Sequence, residues 1–242
     1  MLKNIEGHTI PNIQFPTRQN EDWVTVSTDD IFKNRTVVVF ALPGAFTPTC
    51  SSSHLPRYDE LAPAFMAQGV DEIVCVSVND TFVMNAWAED QATQHIRFLP
   101  DGNGEFSQAM GMLVDKAALG FGKRSWRYSM LVKKGVIEKM FIEPDLPDDP
   151  FEVSDADTML SYINPDRQTS AITIFSKPSC PYCKKAKAML EAQGLAFEDL
   201  TVGEDVTLTM FKAITNADTV PQVFIDGEHV GGSEALESYL AK

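Results

Sequence analysis

Two uninterrupted apolar runs, Thr36-Val37-Val38-Val39-Phe40-Ala41-Leu42 and Ile73-Val74-Cys75-Val76-Ser77-Val78, stand out from the polar background of the chain. They are rich in β-branched residues and do not alternate, which predicts strands buried on both faces. Between them Leu55, Tyr58, Leu61 and Phe65 recur at helical spacing up to Gly69. Pro56 and Pro63 predict that this helix is kinked or broken. After the second run, Asn79-Asp80 predicts the cap of a helix that includes Phe82, Ala86 and Trp87. Ile96 to Leu99 reads as a short strand stopped by Pro100-Asp101-Gly102-Asn103-Gly104. Tyr128 to Val132 and Val136 to Ile142, joined by Lys133-Lys134-Gly135, read as a hairpin. A helix is expected from Ser154, with Asp157 at its third position, to about Ile163.

The polar stretch Asn164-Pro165-Asp166-Arg167-Gln168-Thr169 interrupts this pattern, which then restarts. Ala171 to Phe175 predicts a strand, Cys180 to Gln193 a helix ended by Gly194, and Phe197 to Val202 a second strand. A helix around Val206 to Ala213 follows. Gln222 to Ile225, an Asp226-Gly227 turn and a strand to Val230 predict a hairpin, and Gly231-Gly232-Ser233 opens a last helix ending near Leu240. The pattern defines an α/β protein of two domains, 1–163 and 170–242, joined by a linker at 164–169. The halves share an architecture without repeating a sequence.

The totals narrow the function classes. Of 242 residues, 44% are hydrophobic and 22% charged, an ordinary composition for a folded soluble chain. Thirty-four acids against twenty bases leave a formal charge of −14, which argues against nucleic acid and anionic membrane as partners. The run from Glu143 to Asp157 holds seven acids and no base, and is expected to be a solvated loop leading into a helix. No stretch is apolar enough to span a bilayer, and the first residues, Met1-Leu2-Lys3-Asn4-Ile5-Glu6-Gly7, lack the apolar core of a secretion signal. Four cysteines are too few for a secreted disulfide scaffold, so a reducing cytoplasm is expected.

Two of those cysteines sit where a buried strand gives way to a helix: Pro43-Gly44-Ala45-Phe46-Thr47-Pro48-Thr49-Cys50 and Cys180-Pro181-Tyr182-Cys183. Helix starts favour thiolate over thiol, and thiolate is the reactive form. In the second segment one thiol can attack a disulfide while the other resolves the product. Half of a zinc site is the alternative, but His229 is the only histidine of that domain, so ligand counting argues against a metal. Cys50 has no cysteine two residues away. A lone activated thiol with the Thr47 hydroxyl nearby suits attack on a small electrophile and a sulfenic acid product. Cys75, inside an apolar strand, is expected to be structural. His54, four residues after Cys50, could face it from the next turn, or pack.

The order and spacing of Lys177-Pro178-Ser179-Cys180-Pro181-Tyr182-Cys183, Thr219-Val220-Pro221 and Gly231-Gly232-Ser233 resemble the dithiol glutaredoxins across residues 170–242. That resemblance implies a thioredoxin-like sheet with helices on both faces and a cis proline at Pro221. It implies Cys180 as nucleophile and Cys183 as partner thiol. Lys177, Tyr182, Val220, Pro221, Gly232, Ser233 and Glu234 become the implied glutathione contacts. A Gly-Gly-Ser helix start is an apt anion cradle.

Residues 3 to 163 resemble the peroxiredoxins, whose motif is Pro-x-x-x-Thr-x-x-Cys. Ser51-Ser52-Ser53-His54-Leu55-Pro56, Val78-Asn79-Asp80 and Arg127-Tyr128-Ser129-Met130 narrow the match to the atypical subgroup numbered five. The resemblance implies a second thioredoxin fold, with Cys50 attacking the O–O bond of a hydroperoxide. Arg127 then stabilises thiolate and peroxide, Thr47 orients the peroxide and Pro43 screens the thiol. Lys123 and Arg124 are rivals to Arg127 on position alone.

The two resemblances together point to a hybrid peroxiredoxin–glutaredoxin fusion. They imply a peroxidase acting on hydrogen peroxide and alkyl hydroperoxides, recycled by glutathione and Cys180. Glutathione is expected as reducing co-substrate with glutathione reductase behind it, and no metal or tightly bound cofactor. A linker of six residues spans at most about 20 Å, so transfer between subunits of a dimer or tetramer is expected. Two alternatives remain: a peroxidase reduced by thioredoxin beside an independent disulfide reductase domain, and a redox sensor or iron–sulfur scaffold.

Overall fold

Strand order explains how distant segments reach one place. A computed structural model describes residues 2–19, 22–146, 149–165 and 170–241. The chain divides into two compact units, 1–165 and 166–242. The central linker residues 166–169 lie outside the described residues.

The first unit opens with a hairpin, β1 (Gln14–Gln19) and β2 (Asp22–Ser27), and a one-turn helix α1 (Thr28–Phe32) capped by Ser27. The apolar run forms β3 (Thr36–Leu42), followed by a π-turn over Cys50–His54, α2 (Leu55–Glu60) and α3 (Ala62–Ala67). Pro56 and Pro63 occupy the first turns of α2 and α3, where a missing N–H costs nothing. β4 (Glu72–Ser77) leads to α4 (Thr81–Asp90), where the Asp80 side chain accepts the Phe82 and Val83 N–H groups. β5 (Ile96–Pro100), α5 (Glu105–Ala109) and a small hairpin, β6 (Leu113–Asp115) and β7 (Lys123–Ser125), precede β8 (Tyr128–Lys133) and β9 (Val136–Ile142). The unit closes with α6 (Ala156–Ile163). Its N-cap is Asp155, one residue later than expected, because the N–H and hydroxyl of Ser154 are both bound by the Glu143 carboxylate.

The five-stranded sheet runs β5-β4-β3-β8-β9, with β3, β4 and β5 parallel and β8 antiparallel to β3. Both faces of β3 are covered. Val37, Val39 and Ala41 join a core with Phe32, Phe106 and Trp126. On the other face Phe40 stacks on Tyr58 with centroids 4.3 Å apart. The C-terminal ends of β3 and β4 therefore coincide with the N-terminal end of β8, since Ala41 pairs with Tyr128. This places the Cys50 segment, Asn79 and Arg127 at one end of the sheet.

The second unit repeats the device in a sheet ordered β11-β10-β12-β13, from β10 (Ile172–Ser176), β11 (Glu198–Thr201), β12 (Gln222–Ile225) and β13 (Glu228–Gly231). α7 (Pro181–Ala192) and α9 (Ser233–Leu240) cover one face through Ala186, Leu190 and Leu236. α8 (Leu208–Thr215) places Phe211 against Phe175 in a separate cluster. Phe175 pairs with Gln222 and Val223 with Gly231, so the Cys180, Pro221 and Gly232 segments all emerge at one end.

The acidic run Glu143 to Asp157 corrects the expectation of a solvated loop. Glu143 is buried, and its carboxylate accepts the N–H groups of Glu152, Val153 and Ser154 together with the Ser154 hydroxyl. Glu143 is the anchor that folds this segment back onto the sheet end. Glu143→Ala leaves those donors without their acceptor and is expected to lower the unfolding free energy by about 2–3 kcal/mol, measured by urea denaturation.

Candidate active site

Cys50 is fully buried at the sheet end, in the first turn after β3. The loop before it is fixed from β4: Asn79 Oδ1 accepts the Ala45 N–H at 3.1 Å and the Ser77 hydroxyl at 2.7 Å. Pro43 is buried at the loop's start, and Thr47 spends its hydroxyl proton on the Gly44 carbonyl at 2.9 Å, leaving its oxygen free to accept. Phe46 adopts φ 62°, a left-handed conformation that lets the loop double back with its ring half exposed against Trp87. Trp87 Nε1 donates to the Ser51 hydroxyl at 3.0 Å, tying α4 to the turn that carries Cys50.

Arg127 is the centre of this site. Its side chain is 1% exposed, and Nη1 donates to Cys50 Sγ at 3.4 Å and to His54 Nδ1 at 3.1 Å. Nη2 donates to Asp149 Oδ2 at 2.6 Å, and the ring of Phe151 lies 5.5 Å from the guanidinium carbon. Nε is buried without a partner among the described residues. Burial alone would lower the arginine pKa, but the neighbouring Cys50 and Asp149 charges outweigh it and raise it. The rivals do other work: Arg124 clamps the Val78 and Phe121 carbonyls, and Lys123 is exposed.

His54 donates from Nε2 to the Ser154 carbonyl at 3.2 Å, which leaves Nδ1 as the acceptor for Arg127. Burial, then the Arg127 charge, push its pKa down to about 3, so the ring is neutral. The π-turn, with Leu55 N–H bonded to the Cys50 carbonyl, sets Cys50 and His54 on the same guanidinium. Cys75 lies in mid-sheet, paired with Phe40 and Phe98, and burial raises its pKa well above the ordinary thiol range. Asp149 and Phe151 were not legible from residue type; the acidic run that carries them was the only signal.

The dithiol site has a different construction. Cys180 is the N-cap of α7, with Pro181 at the first helical position, and its sulfur accepts the Cys183 N–H at 3.3 Å. Burial opposes the Cys180 thiolate, yet hydrogen bonds from the Cys183 side chain and from the Cys183 and Tyr182 backbone outweigh it and lower the pKa. Cys183, buried one turn in, is pushed up to about 12 by burial and then by its neighbour's sulfur. Cys180 Sγ lies 3.6 Å from the Val220 carbonyl, and the Val220–Pro221 peptide is cis. Gly232 packs close to the Pro221 carbonyl, where a Cβ would sit 3.7 Å away. The three glutaredoxin-like segments thus adjoin one another. Around them Lys177, Tyr182 and Glu234 are exposed, while Ser233 is buried at the start of α9.

A buried thiol bonded to a guanidinium, and a half-buried thiol capping a helix on a second sheet, define a two-domain thiol oxidoreductase. The chain matches the Redoxin family over residues 5–160 and the Glutaredoxin family over residues 172–230. It is 61% identical to "Hybrid peroxiredoxin hyPrx5" of Haemophilus influenzae over 241 residues, covering 99% of this chain and all of that one. "Peroxiredoxin sll1621" of Synechocystis is 54% identical over 64% of this chain and 88% of its own. Reduced Prx3 of Vibrio vulnificus, solved in complex with hydrogen peroxide, superposes with a TM-score of 0.62 at 43% identity, over 66% of this chain and 99% of its own. The chain belongs to the hybrid peroxiredoxins, a peroxiredoxin fused to a glutaredoxin, both of thioredoxin fold, and it is a thiol peroxidase.

Two measurements follow from this electrostatics. Alkylation by iodoacetamide, followed by mass spectrometry against pH, is expected to modify Cys180 with a midpoint below the ordinary thiol value of about 8.5, with Cys183 the slowest of the pair. For His54 the folded pKa lies below the unfolded one, so its contribution to stability is present above about 6.5 and lost as pH falls toward 3. His54→Gln is expected to flatten the acid limb of the stability curve by at most about 1.4 kcal/mol per pH unit, read from urea unfolding between pH 4 and 7.

Proposed function

We propose that the chain is a glutathione-dependent peroxidase for hydrogen peroxide and alkyl hydroperoxides. The observation that carries this reading is the isolation of Cys50. The other cysteine of its unit, Cys75, is locked in mid-sheet, so the reducing thiol comes from elsewhere. The second unit offers a half-buried, activated thiol beside the Val220 carbonyl, where a backbone could pair with an anionic tripeptide.

The Cys50 thiolate attacks the distal peroxide oxygen and the O–O bond breaks. The leaving alkoxide takes a proton to become ROH, and the sulfur, oxidised by two electrons, becomes Cys50–SOH. Arg127 balances negative charge on sulfur before the step and on oxygen during it, and Thr47 and Pro43 orient the peroxide and exclude water. Glutathione then displaces hydroxide, released as water, to give a Cys50–glutathione disulfide. Cys180 takes the glutathionyl group, returning Cys50 as thiolate. A second glutathione releases oxidised glutathione, and NADPH restores it through glutathione reductase.

On this reading the Val220 backbone pairs with the tripeptide. Lys177 and the Gly232, Ser233 and Glu234 N–H groups meet its carboxylates, with Tyr182 and Pro221 completing the surface. No metal or resident cofactor enters the cycle. The cycle suits a reducing cytoplasm, and assembly as a homodimer or tetramer with transfer between subunits belongs to the same proposal.

With hydrogen peroxide, glutathione, glutathione reductase and NADPH, the wild-type protein should turn over, and Cys50→Ser should not. Cys180→Ser is expected to lose about tenfold or more, the advantage of a tethered thiol at millimolar effective concentration. Equal turnover in wild type and Cys180→Ser would remove the relay from the mechanism. Turnover with thioredoxin but not glutathione would replace the proposed reductant.

A further inference from the structure

Asp149 stands outside the peroxiredoxin motif yet touches its arginine. Glu143 pins the segment that carries it, through the N–H groups of Glu152, Val153 and Ser154. Cys50 and His54 are fully buried and the Arg127 side chain is 1% exposed, whereas Asp149 keeps 31% of its side chain in solvent. Asp149 is therefore the most solvent-exposed of these four groups. Asp149 Oδ2 accepts from Arg127 Nη2 at 2.6 Å, and Oδ1 is buried with no partner among the described residues. A carboxylate satisfied on one oxygen only keeps acceptor capacity beside the guanidinium.

The surroundings reinforce that sign. Phe151, which lies over Arg127, is one wall of a surface depression of about 350 Å³. Its other walls carry Glu60, Asp155 and Asp157 against the single cation Arg57. Arg57 itself is already paired with Glu60 and Asp157.

We propose that Asp149 sets the charge preference of the peroxide site. It occupies Nη2 of Arg127, the amino group that does not bond Cys50, and so shields the guanidinium from anions. Uncharged hydroperoxides are reduced, and hydroperoxides that carry a carboxylate are disfavoured. The reaction is unchanged in kind: sulfur takes the distal oxygen, the O–O bond breaks, and the alcohol leaves with one proton. The inference rests on the peroxidase reading of Cys50 and adds the substrate class.

A matched pair isolates charge: a short hydroperoxide that bears its carboxylate a few bonds from the peroxide, and its methyl ester, reacted with pre-reduced full-length protein at neutral pH. Single-turnover oxidation is followed by intrinsic fluorescence, for which Trp87 beside Ser51 is a reporter. Hydrogen peroxide is the uncharged reference. Wild type should oxidise with the ester about tenfold faster than with the acid, as expected for a like charge within a few ångströms of an approaching anion. Asp149→Asn should bring the two within about twofold, while Asp149→Glu keeps most of the preference.

An ester-to-acid ratio near one in wild type, or one that Asp149→Asn leaves unchanged, overturns the assignment. Should the Asn variant not fold, raising salt from about 20 mM to about 500 mM should shrink the wild-type ratio, and a ratio indifferent to salt overturns it equally. Failure of hydrogen peroxide itself to oxidise Cys50 would bring down the peroxidase reading. Normal oxidation by hydrogen peroxide with a flat ratio overturns the Asp149 assignment alone.

Discussion

The buried guanidinium of Arg127 is the constraint around which the first unit is arranged. A cation removed from water costs several kcal/mol unless anions and acceptors replace its hydration. Here the replacements are Cys50 sulfur, neutral His54, the Asp149 carboxylate and the face of Phe151. Cys50 and His54 come from the π-turn, Asp149 and Phe151 from the acidic run and Arg127 from the sheet end, so all three segments must be in place at once. The neutrality of His54 follows from the same demand, because a protonated ring could not offer Nδ1 to an arginine. Glu143 contributes no atom to the site, yet without its buried carboxylate neither Asp149 nor Phe151 has a reason to be there.

The two thiol sites solve one problem by opposite means. Cys50 is matched by a side-chain cation in a buried site. Cys180 is matched by backbone N–H groups at a helix start, on an accessible surface. The first construction suits a small peroxide whose transition state spreads charge over oxygen and sulfur. The second suits a disulfide carried on a large partner, where access counts for more than enclosure. In both, parallel strand ends and an antiparallel neighbour bring the working segments together, as open α/β sheets do at their carboxyl edges.

Much of this was legible in the sequence because the signals are local. Strand runs, the Asp80 cap, the Gly194 helix end and the two cysteine segments depend on neighbours a few residues apart. The N-terminal hairpin β1–β2 was not anticipated, since its burial alternates weakly and Pro16 sits within it. The acidic run was misread for a physical reason: seven acids without a base look solvated unless their donors are known. The donors of Glu143 are three backbone N–H groups and the Ser154 hydroxyl, and the backbone groups are announced by no residue type. Asp149 pairs with an arginine 22 positions earlier, and only the return of the loop along β9 makes that contact visible.

The division of labour between the units follows from the same burial. Cys75 is near enough for the Cys50 charge to raise its pKa further, but it is held between Phe40 and Phe98 by strand pairing on both sides. Reaching Cys50 would break the centre of the sheet, the most cooperative part of the fold. A resolving thiol inside this unit would therefore have to be added on a surface segment. In the proposed cycle the second domain serves that end instead. It also separates the two tasks: the enclosed site is tuned for peroxide, and the open one for the bulkier disulfide that the proposed cycle leaves behind.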